Sequence, residues 1–131
     1  MILLDTHVLI WLAVKPERLS KAATRAIKRA ERAGGVAISS ITLWEIAQLV
    51  DDGRVKVRGS IETFLDSLCQ RSGLAVLEIT SEIAALAFQF PPGFPRDPAD
   101  RLIGATARAQ GIPLVTKDQP MQDCPLVDTV W

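Results

Sequence analysis

Four acidic residues, Asp5, Glu45, Asp100 and Asp118, stand where a carboxylate can do chemistry as well as meet solvent. Asp5 ends the apolar run Ile2-Leu3-Leu4, and Asp118 follows Leu114-Val115-Thr116-Lys117. Glu45 comes shortly after the apolar run Val36–Ile38, and Asp100 belongs to Asp97-Pro98-Ala99-Asp100. If these segments meet, four or five carboxylates converge. Like charges at close range push each other's pKa upward unless a cation offsets them. An oxygen-only ligand set without partnering His or Cys suits a hard cation, Mg²⁺ or Mn²⁺, and such ions accompany phosphate substrates. Two of them can hold the attacking and leaving oxygens of an in-line displacement at phosphorus.

Each acid also has a purely structural use. Asp97 before Pro98 is a good N-cap with proline at the first helical position, and Asp100 then falls where a capping-box acid sits. Glu45 fits the reciprocal position of a Thr42-x-x-Glu45 capping box. Asp118 suits a turn before Pro120. Asp5 is hardest to explain this way, because an acid ending a buried strand is costly without a partner.

The elements that must position these acids are short. Ile2–Leu4, Val36–Ile38, Leu74–Ile79 and Pro113–Val115 are apolar runs of the kind buried on both faces of a parallel sheet. The N-terminal stretch, residues 1–14, though apolar enough to resemble a signal h-region, lacks a basic n-region and is interrupted by Asp5 and His7, so it reads as a strand running into a helix. Further helices are expected from Ser20 to Ala33, Thr42 to Asp52, Ser60 to Arg71, Ser81 to Phe90 and Pro98 to Gln110. Ser20 and Ser60 are N-cap candidates, and Gly34, Gly53, Gly73 and Gly111 lie just past helix ends. Residues 91–95, Pro-Pro-Gly-Phe-Pro, make a turn. Strands alternating with helices give an α/β fold, in which ligands bind beyond the carboxyl ends of the strands. Asp5, Glu45, Asp118 and the start of the Pro98 helix all belong at that edge.

Composition narrows the classes. The 131 residues fit one domain, and a chain of this size buries about two-thirds of its unfolded surface. Hydrophobic residues reach 48%, but no run of about 18 apolar residues spans a bilayer. Lys plus Arg and Asp plus Glu are 15 each, so no bulk positive field draws in nucleic acid and any such binding uses local patches. Cys69 and Cys124 are expected as reduced thiols in cytoplasm.

The segments residues 3–11 (Leu-Leu-Asp-Thr-His-Val-Leu-Ile-Trp), 39–47 (Ser-Ser-Ile-Thr-Leu-Trp-Glu-Ile-Ala), 97–103 (Asp-Pro-Ala-Asp-Arg-Leu-Ile) and 114–118 (Leu-Val-Thr-Lys-Asp) together resemble the PIN-domain nucleases, most closely the VapC-type toxins of bacterial toxin–antitoxin pairs. Their order, spacing and span of nearly the whole chain make the set specific. The resemblance implies a single PIN domain over residues 1–131, a three-layer α/β/α sandwich around a mostly parallel sheet, and ribonuclease activity. It makes Asp5, Glu45, Asp100 and Asp118 the catalytic, metal-holding quartet, with Asp97 as an accessory acid and Thr6 and Thr116 as hydroxyls that hold the site. It also implies a homodimer and neutralisation by a VapB-type antitoxin. One departure stands out. Relatives with the Asp-Pro-x-Asp-Arg motif often carry a His shortly before it, where this chain has Phe94-Pro95-Arg96.

The chemistry expected is hydrolysis of an RNA phosphodiester by metal-activated water, with one carboxylate assisting as base. His7 is the single histidine, so one chain cannot assemble a two-imidazole acid–base pair. Its ordinary role is a local hydrogen bond. Lys21, Arg25, Lys28 and Arg32 share one face of a helix and are candidate RNA contacts or a solvated face, with Arg96 and Lys117 as rivals nearer the acids. Trp11 and Trp44 are expected in the core, the alternative being an apolar groove for an antitoxin peptide. Arg101 is expected to pair with a neighbouring acid. Two other functions compete: a catalytically silent PIN-like RNA- or protein-binding module, and a phosphoacceptor receiver domain. Against the receiver, the first strand ends in a single acid and no Asp terminates Leu74–Ile79.

Overall fold

The computed structural model describes residues 1–71 and 73–131. A five-stranded sheet is built from β1 (Ile2–Leu4), β2 (Val36–Ser39), β3 (Leu74–Leu77), β4 (Leu114–Val115) and β5 (Thr129–Val130), in the order β3-β2-β1-β4-β5. Every strand pairing is parallel. The helices are α1 (Thr6–Val14), α2 (Lys21–Arg32), α3 (Ser40–Asp51), α4 (Ile61–Cys69), α5 (Ser81–Leu86), α6 (Pro98–Gln110) and α7 (Gln119–Gln122), with a 3₁₀ turn at Pro16–Arg18.

Alternation along the strands separates two cores. Leu4, Val36, Ile38 and Val115 pack with Val8, Leu9, Ile27, Ile46 and Leu68 of α1 to α4 on one face. Leu3, Ala37 and Leu114 point to the other, against Ile103 and Ala107 of α6 and Met121 of α7. The outermost layer on that side is α5, which packs on α6 through Ile83, Ala87 and Ala105. The fold is thus the expected α/β/α sandwich, since each central strand needs a cover for both its faces.

The differences from expectation have local causes. Strand β3 lies at the sheet edge and is half-buried throughout, where its apolar run suggested burial on both faces, and it stops at Leu77 because Glu78 and Ile79 are exposed. Strand β5 was not anticipated. It is two residues long, too short to carry a periodic signal, and it exists because β4 offers it a free edge. Helix α3 begins at Ser40, before the expected Thr42, since Ser39 accepts a hydrogen bond from the Ile41 amide at 3.3 Å and caps it. Helix α5 ends at Leu86, short of Phe90. Ser20 and Ser60 cap α2 and α4 as expected, and Gly34, Gly53, Gly73 and Gly111 all adopt positive φ.

The sheet has one topological switch. From β1 the chain proceeds outward through β2 to β3, then crosses back to β4 on the opposite side of β1 and on to β5. The carboxyl ends of β1 and β4 therefore border the crevice in which an open α/β sheet takes its ligand.

Candidate active site

Asp5 and Thr116 are neighbours because of strand register. Leu4 pairs with Val115, so the next residue on each strand emerges side by side at the carboxyl edge. Thr116 Oγ1 donates to Asp5 Oδ2 at 2.7 Å, and the Thr6 amide donates to Asp5 Oδ1 at 2.8 Å. Asp5 also caps α1, whose N-terminal dipole favours a negative charge there. Burial raises the pKa of Asp5, and these two hydrogen bonds work against that rise. Thr116 Oγ1 in turn accepts from the Asp118 amide at 3.0 Å. Asp118 does more than mark a turn: it caps α7, its Oδ1 taking the Met121 amide at 2.9 Å, with Pro120 inside the first turn.

Glu45 enters from α3. Because that helix starts at Ser40, Glu45 lies in its second turn, and the Thr42-x-x-Glu45 capping box does not form. Instead Thr6 Oγ1 donates to Glu45 Oε1 at 2.5 Å and lies 3.2 Å from Thr42 Oγ1. Thr42 is fully buried and braces the hydroxyl that holds Glu45. Sequence reading assigned Thr42 to a cap; the signal for its true role is its i,i+3 spacing from Glu45 on the inward face of α3. Burial raises the pKa of Glu45, and the neighbouring charges of Asp5 and Asp97 raise it further.

Asp97 and Asp100 come from the start of α6. Asp97 caps it, Oδ1 accepting from the amides of Ala99 at 2.8 Å and Asp100 at 3.4 Å. The helix is held at this height by Phe94, which stacks on Phe90 at 3.9 Å and presses on Gly104, where an added Cβ would come within 2.7 Å of the Phe94 ring. Asp100 accepts no hydrogen bond on its carboxylate among the described residues, so it is not the reciprocal acid of a capping box. Its pKa is pushed up to about 7, first by burial and then by the charges of Asp5, Asp97, Glu45 and Asp118.

Carboxylate oxygens of Glu45, Asp97 and Asp100 lie within 4.8 Å of one another. Asp5 and Asp118 stand across from them, close enough for their charge to act on Asp100. Among the described residues no Lys or Arg forms an ion pair with any of the five. Arg101 is turned away, donating to the Ala87 carbonyl at 3.1 Å, so the pairing expected for it with an acid does not form. An all-oxygen cluster of this charge, with no Lys or Arg paired to it among the described residues, is the donor set a hard divalent ion fits.

The remaining candidates are dispersed. Lys117 and Arg96 are exposed and adjoin Asp118 and Asp97 in the chain. Lys21, Arg25, Lys28 and Arg32 are exposed along α2, which runs away from the acids. Its end lies at the amino edge, where Ile2 donates its amide to the Gly35 carbonyl at 3.1 Å. Trp11 is partly buried against Trp131, with ring centroids 5.9 Å apart. Trp44 is 58% exposed, contrary to its expected place in the core, because the inward positions of α3 go to Thr42 and Ile46. Both cysteines are free thiols.

The sequence pattern that defines the PIN domain matches residues 2–124. The chain is 39% identical to Ribonuclease VapC22 of Mycobacterium tuberculosis over 132 residues, covering 99% of this chain and 98% of that protein. The fold is similar to the VapBC2 complex of Rickettsia felis, with a TM-score of 0.74 at 21% identity over 98% of this chain and 97% of that one. It is also similar to VapBC of Salmonella typhimurium, with a TM-score of 0.69 at 20% identity over 98% and 97% of the two chains. Strand order, the switch-point acids and these likenesses agree, and the chain belongs to the PIN-domain family, among its VapC-type members.

Proposed function

We propose that this chain is a metal-dependent endoribonuclease and the toxin of a VapBC-type toxin–antitoxin pair, acting as a single PIN domain over residues 1–131. The observation that carries the reading is the convergence of Asp5, Glu45, Asp97, Asp100 and Asp118 at the switch point, with no Lys or Arg paired to them among the described residues. Asp5, Glu45, Asp100 and Asp118 would hold Mg²⁺ or Mn²⁺, with Asp97 as an accessory acid; the ion when bound neutralises the cluster and stabilises negative charge on the phosphorane.

The chain's own groups do the rest. A carboxylate of the cluster accepts a proton from the attacking water as the new P–O bond forms and the bond to the leaving ribose oxygen breaks. Thr6 and Thr116 keep Glu45 and Asp5 in place through their hydroxyl hydrogen bonds, so that neither acid swings as the ion and substrate arrive. The partners consistent with this reading are RNA, a VapB-type antitoxin and a second copy of the chain. Cytoplasm is the fitting compartment, and no helix among the described residues is long and apolar enough to cross a membrane.

The test is RNA hydrolysis by purified protein, freed of any co-purified inhibitor, in Mg²⁺ or Mn²⁺ and in chelator. Activity is expected with either ion, with a loss of at least about 100-fold in Asp5→Asn and Asp100→Asn. Equal activity in the variants, or none in the wild type, removes the nuclease and leaves a silent binding module. Phosphate transfer to an Asp would instead indicate a receiver.

A further inference from the structure

Beside the acids, α1, the 3₁₀ turn and the residues after α3 enclose a groove of about 550 Å³. Its cationic lining, Lys15, Arg18, Arg54 and Lys56, comes from two stretches well separated in sequence, and among the described residues no Asp or Glu lines it. In a chain whose positive and negative residues balance at 15 each, that is a local concentration of one sign. Trp11 forms part of its wall, with the Arg18 guanidinium and the Lys117 ammonium each 5.8 Å from the ring centroid.

The groove adjoins the acids along the chain at two points. His7 lines it and directly follows Thr6, whose hydroxyl holds Glu45. Lys117, which reaches over Trp11, directly precedes Asp118. A basic channel with an aromatic wall, neighbouring a carboxylate cluster in the chain, has the composition that tracks a single-stranded phosphate backbone and stacks a base.

We propose that this groove binds the single-stranded RNA flanking the scissile phosphate, with Lys15, Arg18, Arg54 and Lys56 contacting phosphates and Trp11 offering a stacking surface for a base. The proposal rests on the ribonuclease reading and adds to it a substrate path distinct from the basic face of α2. A protein segment is the rival occupant. The absence of acids among the lining residues favours a polyanion, and an extended backbone with one charge per nucleotide matches cations spread along a channel.

The test uses fluorescence anisotropy of a labelled single-stranded RNA of about 12 nucleotides, in chelator so that no cleavage occurs. Arg54→Ala/Lys56→Ala removes two cations from the segment after α3, and Lys15→Ala/Arg18→Ala removes two from the other wall. Each double variant is expected to weaken binding about tenfold at about 50 mM salt and to reduce the slope of log K against log salt by about 1.4. A control, Arg29→Ala/Arg71→Ala, removes the same charge near the amino edge and is expected to change affinity by less than about twofold. With Mn²⁺ present, the groove variants should raise KM for a long RNA and leave kcat nearly unchanged. Loss of affinity equal to that of the control, or unchanged binding with folding confirmed by circular dichroism, overturns the proposal and leaves the groove to a protein partner. Those results leave cleavage by the wild type intact, whereas a wild type that neither binds nor cleaves RNA removes the ribonuclease reading itself.

Discussion

Two walls of the same crevice treat their carboxylates differently. On the β1–β4 wall, both oxygens of Asp5 accept hydrogen bonds, and Asp118 is tied into the cap of α7. On the helical wall, Glu45 has the Thr6 hydroxyl, but Asp100 has burial and four neighbouring acids acting on it, and every one of those influences raises its pKa. On the strand wall protein donors meet both oxygens of Asp5, although burial still raises its pKa, while Asp100 on the helical wall has no such donor among the described residues. A cation would relieve acids on both walls, and for Asp100 it would do so without help from any side-chain donor among the described residues.

The largest effect should come from removing that asymmetry. In chelator, native Asp100 keeps its proton up to about pH 7, whereas in the unfolded chain it loses it near its ordinary value of 3.8. Across that interval the native state binds more protons than the unfolded state, so stability falls as pH rises and the loss is complete above about 7. Thermal denaturation is expected to show a drop on the order of 5 °C between about pH 5 and about pH 7.5 without divalent ion, and recovery when Mn²⁺ is added. Asp100→Asn should lessen the pH dependence, leaving the part that Asp5 and Glu45 contribute in the same direction, and blunt the response to Mn²⁺, while abolishing RNA hydrolysis. Parallel profiles for wild type and variant would mean that Asp100 is not the destabilising member.

Thr116→Val tests the opposite wall. It takes the donor from Asp5 Oδ2 and the acceptor from the Asp118 amide in one change of nearly constant volume. Leaving buried polar groups unpaired should cost about 2 kcal/mol, visible in urea unfolding, with hydrolysis reduced about tenfold and largely restored in Thr116→Ser. Thr6→Val, acting on the more exposed Glu45, should cost about 1 kcal/mol, because water can replace the lost donor. If Thr6→Val proves the costlier of the two, the strand wall is not the better satisfied one.

How much of this could be read from residues follows the same physical division. Asp5 was legible because a charged residue ending a buried strand needs a reason, and Asp118 because an apolar strand stops just before it. Helix α6 was read at both ends, since Pro98 and Gly111 mark them. The hydroxyl partners rested on resemblance alone: nothing in the local sequence near Thr116 says that its neighbour across the sheet is Asp5, which is 111 positions away. The exposure of Trp44 was misjudged because hydrophobicity predicts burial only where a helix has no better inward residues. The basic groove escaped notice because Lys15 and Arg18 are brought opposite Arg54 and Lys56 by tertiary packing, whereas the stripe on α2 follows a helical period that a single sequence displays.

Asp97 gives the smallest effect and the finest distinction between the walls, because it caps α6 and also belongs to the helical cluster. Asn caps a helix about as well as Asp, so Asp97→Asn should leave unfolding free energy within about 0.5 kcal/mol of wild type, while Asp97→Ala should lose about 1 kcal/mol. As an accessory acid, Asp97 should lower hydrolysis by less than about tenfold when converted to Asn, against at least about 100-fold for Asp100→Asn. Its nearest chain neighbour at the site would then outrank it for a physical reason: Asp97 spends one oxygen on two backbone amides, whereas both oxygens of Asp100 remain available to an ion. A loss in Asp97→Asn as deep as in Asp100→Asn, with stability unchanged, would place both acids at equal rank in the cluster and make the cap a secondary use of Asp97.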